Sequence, residues 1–228
     1  MKLSYCTLVR GNNLKLDTGY LGISSVVLIQ VNSRNILFDT GGYATRAAVR
    51  RGLAQLGLEP KDVSIIVLSH AHFDHCQNLN MFPNAKIMLS SAEFDYLQNP
   101  AEDDDGIPFG LAGYLKEKDL EIFDGEFDLY PDVSLFPTPG HTPGHYSMRL
   151  ILPSKGTVIL AGDAIKYPRE AIQKKSDLAF DSAKNANKSI LKILRQADFV
   201  VPGHFSEFSV QGEKISWEDD IFMGLHIR

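Results

Sequence analysis

The chain has 228 residues, 44% of them hydrophobic and 22% charged, and a formal net charge of −5. That balance suits one sizeable globular core, and no run approaches the ~20 apolar residues a membrane-spanning helix needs. The acidic balance argues against a broad polyanion binder, though not against a local basic patch, and two cysteines, Cys6 and Cys76, make no disulfide framework.

The segment Met1 to Gly11 carries polar and charged residues where a signal peptide has an apolar core, so a cytoplasmic, single-domain chain over residues 1–228 is expected. Leu3 to Val9 and Ser25 to Val31 read as strands, with Gly19 and Gly22 punctuating between them. Asn35 to Asp39 is a third short run, ended by Thr40, Gly41 and Gly42. A helix fits Thr45 to Leu56, with Val49, Leu53 and Leu56 on one face and Gly57 and Pro60 beyond its end. Val63 to Leu68 is a continuous apolar run of the kind buried on both faces.

Ala85 to Leu89 reads as a strand and Ser91 to Leu97 as a short helix. The stretch Asn99 to Gly113, holding Pro100, the acidic run Asp103 to Asp105, Gly106 and Pro108, reads as a solvated loop, with a flap over a site as the alternative. Strand-like runs resume at Leu120–Phe123, Val133–Pro137, Tyr146–Leu152 and Thr157–Leu160. A helix over Ala183 to Ala197 places Ala186, Ile190, Leu194 and Ala197 on one side, and Phe199 to Val201 is a last buried strand. No repeat or linker interrupts this order, which predicts two mixed sheets with helices outside them.

Three of the seven histidines fall in Ser69-His70-Ala71-His72-Phe73-Asp74-His75, directly after the Val63 to Leu68 run. Imidazole and carboxylate together are the donor set for zinc and similar divalent ions. In extended chain His70 and His72 point the same way, while Asp74 and His75, after a turn, face a second position. The cluster would be electrostatically costly if buried without a purpose.

Pro139-Gly140-His141-Thr142-Pro143-Gly144-His145 follows the Val133 strand; His141 is the donor there, and His145 reads as a hydrogen-bonded core histidine. Leu160-Ala161-Gly162-Asp163 and Val200-Val201-Pro202-Gly203-His204 repeat the arrangement of a strand delivering one Asp or His. His226 has no such context and reads as a surface residue. Cys76 reads as a small buried side chain rather than a soft ligand.

The order His70, His72, Asp74, His75, His141, Asp163, His204 resembles the metallo-β-lactamase superfamily signature H-x-H-x-D-H and its downstream ligands. Phe38-Asp39-Thr40-Gly41 is similar to the early D-T-G turn of many members. The resemblance spans nearly the whole chain and implies a four-layer αββα sandwich. It implies two divalent metal ions, zinc first and Mn, Fe or Co as alternatives. His70, His72 and His141 would hold one, Asp74, His75 and His204 the other, and Asp163 would bridge them. Asp39 would orient ligands, or else be a plain turn residue.

The implied reaction is attack on an ester-type bond by a hydroxide shared between the ions, whose pKa falls from ~15.7 towards ~7. No G-x-S-x-G motif offers a serine nucleophile. Among subfamilies the chain looks most like the acyl-homoserine lactone lactonases, with a phosphotriester side activity allowed. In that group a tyrosine three residues past the bridging Asp helps bind the carbonyl. Lys166 stands there, with Tyr167 one place later. Asp74, Lys166 and Tyr167 are therefore the catalytic candidates; Lys166 is an electrophile or a surface lysine.

Two other hydrolytic readings compete, a glyoxalase II-type thioesterase and a phosphodiesterase or ribonuclease. The first normally carries a further C-terminal helical domain, and with only about two dozen residues after His204 it ranks lower. The acidic charge disfavours the second. A more distant reading is a mononuclear iron dioxygenase, and a small-molecule substrate and a homodimer are what the resemblance allows as partners. Tyr20, Leu21, Phe73, Phe82, Phe109 and Phe205 are either pocket lining or core.

Overall fold

The computed structural model describes residues 3–218, so His226 lies outside the described residues. The chain opens with β1 (Leu3–Val9), a hairpin of β2 (Lys15–Leu16) and β3 (Gly19–Tyr20), and then β4 (Val26–Val31) and β5 (Arg34–Phe38). Next come α1 (Arg46–Gln55), β6 (Ile65–Val67), α2 (Phe73–Cys76), β7 (Lys86–Ser90), α3 (Ser91–Tyr96), α4 (Leu111–Lys116) and β8 (Leu120–Phe123). The second half begins with β9 (Phe127–Tyr130), β10 (Val133–Pro137), β11 (Tyr146–Leu152) and β12 (Gly156–Gly162). It ends with α5 (Pro168–Gln173), α6 (Ala183–Leu194), β13 (Phe199–Pro202), β14 (Phe208–Gln211) and β15 (Lys214–Trp217).

One sheet has the order β1-β4-β5-β6-β7-β8 and the other β15-β14-β13-β12-β11-β10-β9. Strands β5 to β8 run parallel, which requires the helical crossovers between them. In the second sheet only the β12–β13 pair is parallel, and α5 and α6 supply its crossover.

Side chains alternate across each central strand, so both sheets are apolar on both faces. Val26 and Leu28 of β4 pack with Val49 and Leu53 of α1 and Leu115 of α4. Their neighbours Val27 and Ile29 meet Leu135, Met148 and Leu160 of the facing sheet. On the far side, Phe136, Ile159 and Ala161 pack against Ala171 of α5 and Ile190 and Ile193 of α6. Three apolar layers thus separate four structural ones, a four-layer αββα sandwich of metallo-β-lactamase type. Burying each such Leu, Ile or Val contributes roughly 1.5–3 kcal/mol, and truncating fully buried Leu28 to alanine costs about 2–5 kcal/mol.

Local signals set the helix ends. Ser90 Oγ accepts the Glu93 N–H to start α3, and Ser182 Oγ accepts from Asn185 N to start α6. Gly57, at φ +72°, closes α1. The helix ends at Gln55, and Leu56, expected on its apolar face, is exposed. α6 stops at Leu194 and buries Ile193 more fully than Leu194. The stretch read as loop from Asn99 to Gly113 already contains the start of α4. The hairpin β2–β3, the strands β9, β14 and β15, and α5 had no reading of their own. No helix among the described residues is long and apolar enough to cross a membrane.

Candidate metal centre

Five strand ends converge at one edge of the sandwich. His70 and His72 leave the carboxyl end of β6, and Asp74 and His75 sit on the single turn of α2. His141 lies in the β10–β11 loop, Asp163 just after β12 and His204 just after β13, while Asp39 follows β5. Loops held by rigid parallel strands are suited to carry such groups. The β10–β11 loop is pressed onto α6 at Gly140, where φ is +139° and a Cβ would stand 2.2 Å from the Ala186 Cα.

All seven expected donors are buried. Among the described residues, His70, His72 and His141 form one group with ligand atoms within 4.8 Å of one another. Asp74, His75 and His204 form a second, and His70, His75 and Asp163 a third lying across the two. His72 Nδ1 and His141 Nε2 stand 3.0 Å apart. His75 Nε2 lies 3.2 Å and His204 Nε2 3.3 Å from Asp163 Oδ1, and His141 Nε2 lies 3.4 Å from Asp163 Oδ2.

The outward nitrogen of each imidazole is already engaged. His72 Nε2–H donates to Asp104 Oδ2 at 3.0 Å and His75 Nδ1–H to Asp39 Oδ2 at 2.8 Å. His70 Nδ1 meets Ser69 Oγ at 2.9 Å, and His204 Nδ1 donates to the Ile23 carbonyl at 3.0 Å. His141 Nδ1 faces the Leu178 carbonyl at 3.4 Å. Such contacts fix the tautomer that leaves the inward nitrogen bare.

The inward atoms fit a cation. His70 Nε2, His75 Nε2 and Asp163 Oδ1 are buried with no hydrogen-bond partner, and burying each unsatisfied atom costs about 1–3 kcal/mol. Asp163 Oδ1 is close to two imidazole nitrogens without an aligned N–H. Convergent lone pairs of this kind are relieved by a positive ion between them.

Electrostatics divides the donors. Burial, aided by the neighbouring imidazoles, drives His70 well below the usual histidine range, and burial does the same to His141 against the pull of Asp163. For His75 and His204 burial also opposes the charge, but it is outweighed. Asp163, Asp74 and Asp39 raise His75 well above its ordinary value, and Asp163 and Asp74 raise His204. Asp163 in turn is buried yet held well below the carboxylate range by His204 and His75.

His145 is a core histidine. Its Nδ1–H meets Thr138 Oγ1 at 2.9 Å, and its Nε2 accepts the Asp163 backbone N–H at 3.0 Å. Burial pushes it down to about 3, so the ring stays a neutral acceptor that places Asp163. Asp39 is both a turn residue and an orienting carboxylate. At φ +61° it occupies the left-handed region, and it accepts from Ser69 N at 2.7 Å as well as from His75. Cys76 is buried, with its Sγ–H directed at the Ala71 carbonyl.

Two expectations need correction. Lys166 is no surface lysine and offers no free ammonium: it is buried, with Nζ 2.7 Å from Glu170 Oε1 and 3.0 Å from Asp177 Oδ1. Burial disfavours its charge, but Glu170 and Asp163 more than restore it. The acidic run is not uniformly solvated, because Asp104 turns inward onto His72 and Tyr96 while Asp103 and Asp105 stay exposed. Phe82 is core, whereas Phe109 is exposed and borders a cavity of about 270 Å³ with Leu79, Pro108 and Tyr114.

Tyr167 caps α5 and lines a cavity of about 520 Å³ with Leu14, Ile172, Phe205 and Trp217, next to the loop that carries His204. Tyr20, on the β2–β3 hairpin, brings its hydroxyl 3.3 Å from His204 Nδ1. Burial of the phenol end and the charges of Asp163 and Asp74 keep it protonated.

An αββα sandwich with buried imidazole and carboxylate donors at its strand ends defines a class, the proteins of metallo-β-lactamase fold with a candidate metal centre. The model of the metallo-beta-lactamase superfamily matches residues 19–204. An N-acyl homoserine lactonase of a Bacillus species is 34% identical over 152 residues, which is 61% of this chain and 56% of that protein. The chain thus spans little more than half the length of the Bacillus lactonases it matches. Metallo-beta-lactamase domain-containing protein 1 of Mus musculus is 30% identical over 205 residues, 88% of this chain and 70% of that one. The structure of AidC, a dizinc quorum-quenching lactonase in complex with a product, shares the fold at a TM-score of 0.69 and 23% identity. That likeness covers 90% of this chain and 82% of that one. The chain belongs to the metallo-beta-lactamase superfamily.

Proposed function

We propose that the chain is a two-metal hydrolase of ester-type bonds whose substrate is a lactone of the acyl-homoserine lactone kind. His70, His72 and His141 would hold the first ion and Asp74, His75 and His204 the second, with Asp163 shared between them. One observation carries the reading: Asp163 turns Oδ2 toward His141 and Oδ1 toward His75 and His204. A carboxylate with one oxygen for each donor group is what a bridging ligand requires.

Zinc suits this donor set, and a dizinc lactonase of the same fold supports that choice. When bound, two such ions supply Lewis acidity and bring the pKa of water from ~15.7 towards ~7. His145 fixes the Asp163 backbone, and Asp39 and Asp104 hold His75 and His72 in ligand tautomers. Asp74, with Oδ2 3.4 Å from His204 Nε2, would also take the proton given up by the attacking water and pass it to the leaving oxygen. Lys166 acts through its charge on Asp163 and through its carbonyl, which accepts from His204 N at 2.8 Å. Tyr167 contributes to the apolar cavity beside His204, which has the size and lining for an acyl chain. The same arrangement admits phosphotriesters as a side activity.

The test is a panel of lactones, thioesters, aryl esters, phosphotriesters and RNA, run on metal-reconstituted full chain. Lactones are expected to be opened with the highest kcat/KM. RNA as the sole cleaved substrate overturns the lactone assignment. Oxygen consumption with one bound iron and no hydrolysis overturns the hydrolase itself.

A further inference from the structure

Glu93 is a fully buried carboxylate at the third position of α3, outside the histidine and aspartate motifs of the centre. After Ser90, its place is that of the acid in a capping box, where it would reach back to the helix's own first N–H. It does not. Glu93 Oε1 accepts the Ala71 N–H at 2.9 Å, and Oε2 accepts the Thr142 hydroxyl at 2.7 Å and the Gly144 N–H at 3.1 Å.

Those partners have a particular location. Ala71 lies between His70 and His72 on the loop after β6, in the first sheet. Thr142 follows His141 on the loop after β10, in the second. The two oxygens of one side chain therefore tie together the two loops that bring the three-imidazole group into being. Ser90 reinforces the tie, since its Oγ donates to the Gly144 carbonyl at 2.6 Å. The approach is close enough that a Cβ on Gly144 would stand 2.0 Å from the Glu93 nitrogen. A buried carboxylate is expensive unless its oxygens are all used, and here both are spent on this junction.

We infer that Glu93 is a positioning residue for the first metal ion, setting the separation of His141 from His70 and His72 without touching ion or substrate. The inference rests on the two-metal reading above. Glu93→Gln keeps the volume and the acceptor for Ala71, but it sets an NH₂ group against the Gly144 N–H. The Gly144 contact on the His141 side of the tie is then lost, and the Thr142 hydroxyl must turn from donor to acceptor.

The experiment is a cobalt(II) titration of wild-type and Glu93→Gln full chains. It reads ions bound per chain, the affinity of each against a competing chelator, and the visible absorption of each ion. Melting of the metal-free proteins is recorded alongside. Wild type is expected to bind two ions; Glu93→Gln should weaken the first about tenfold, shift its absorption, and leave the second within about threefold. Thr142→Val, which removes only the hydroxyl contact, serves if Glu93→Gln does not fold, and should weaken the same ion by a smaller factor. Equal losses at both ions, or no loss at either, overturn the role of Glu93 while wild type still binds two. Fewer than two ions on wild type overturns the two-metal reading and this inference with it.

Discussion

The three-imidazole group and the mixed group of Asp74, His75 and His204 sit within one buried centre, yet the fold prepares them in opposite ways. Burial keeps His70 and His141 neutral, the form that binds a cation. His75 and His204 lie against carboxylates that outweigh burial and raise the affinity of each ring for a proton. His70 and His141 are ready for a metal as folded, whereas His75 and His204 are costlier to bring to the neutral form that binds one. One centre therefore presents two loading chemistries, and Asp163 couples them because its two oxygens belong to different groups.

The largest expected effect comes from removing that coupling. Asp163→Ala should strip both ions and lower lactone hydrolysis by more than about 100-fold, beyond what outer hydrogen-bond partners usually cost. Metal analysis beside the rate decides it, and full activity with depleted metal would break the comparison. Next come the carboxylates behind each group. Asp104→Asn should weaken the first ion and Asp39→Asn the second, each by about 10–100-fold, read by chelator competition. A swapped pattern would reassign the groups.

A pH titration of metal affinity sharpens the contrast. The charges of Asp163 and Asp74, with Asp39 acting on His75, make His75 and His204 keep a proton to higher pH than an ordinary histidine. The second ion should therefore bind more weakly as pH falls, by about tenfold per unit for each proton displaced. The first ion should show a flatter profile between about pH 5 and 8, because His70 and His141 are already neutral there. The reverse order of slopes would contradict the assignment. The smallest effect is expected from Tyr20→Phe, which removes one partly exposed hydroxyl near His204 and should change kcat/KM only several-fold, about the worth of one hydrogen bond.

The convergence of the candidate donors was legible because most of them stand shortly after an apolar strand, and the sheets bring those strand ends to one edge. The layers followed from strand and helix periodicity in the same way. Asp104 was not legible, since nothing in Asp103-Asp104-Asp105 says which carboxylate turns inward; its partner His72 is 32 residues away. Glu93 escaped for the same reason, with partners 22 to 51 residues distant, although Ser90-x-x-Glu93 has the spacing of a capping box and could have drawn notice. The Lys166–Glu170 pair, four apart at the start of α5, was a local signal that could have warned against a free ammonium. Short polar strands such as β2, β3 and β15 carry too little alternation to be read from sequence.

The most direct test of the centre is hydrolysis of an acyl-homoserine lactone, followed while zinc is added stepwise to metal-free protein. The rate should rise to a break at two ions per chain and stay flat beyond it. A plateau reached at one ion, or no hydrolysis at any loading, would contradict the two-ion centre proposed here.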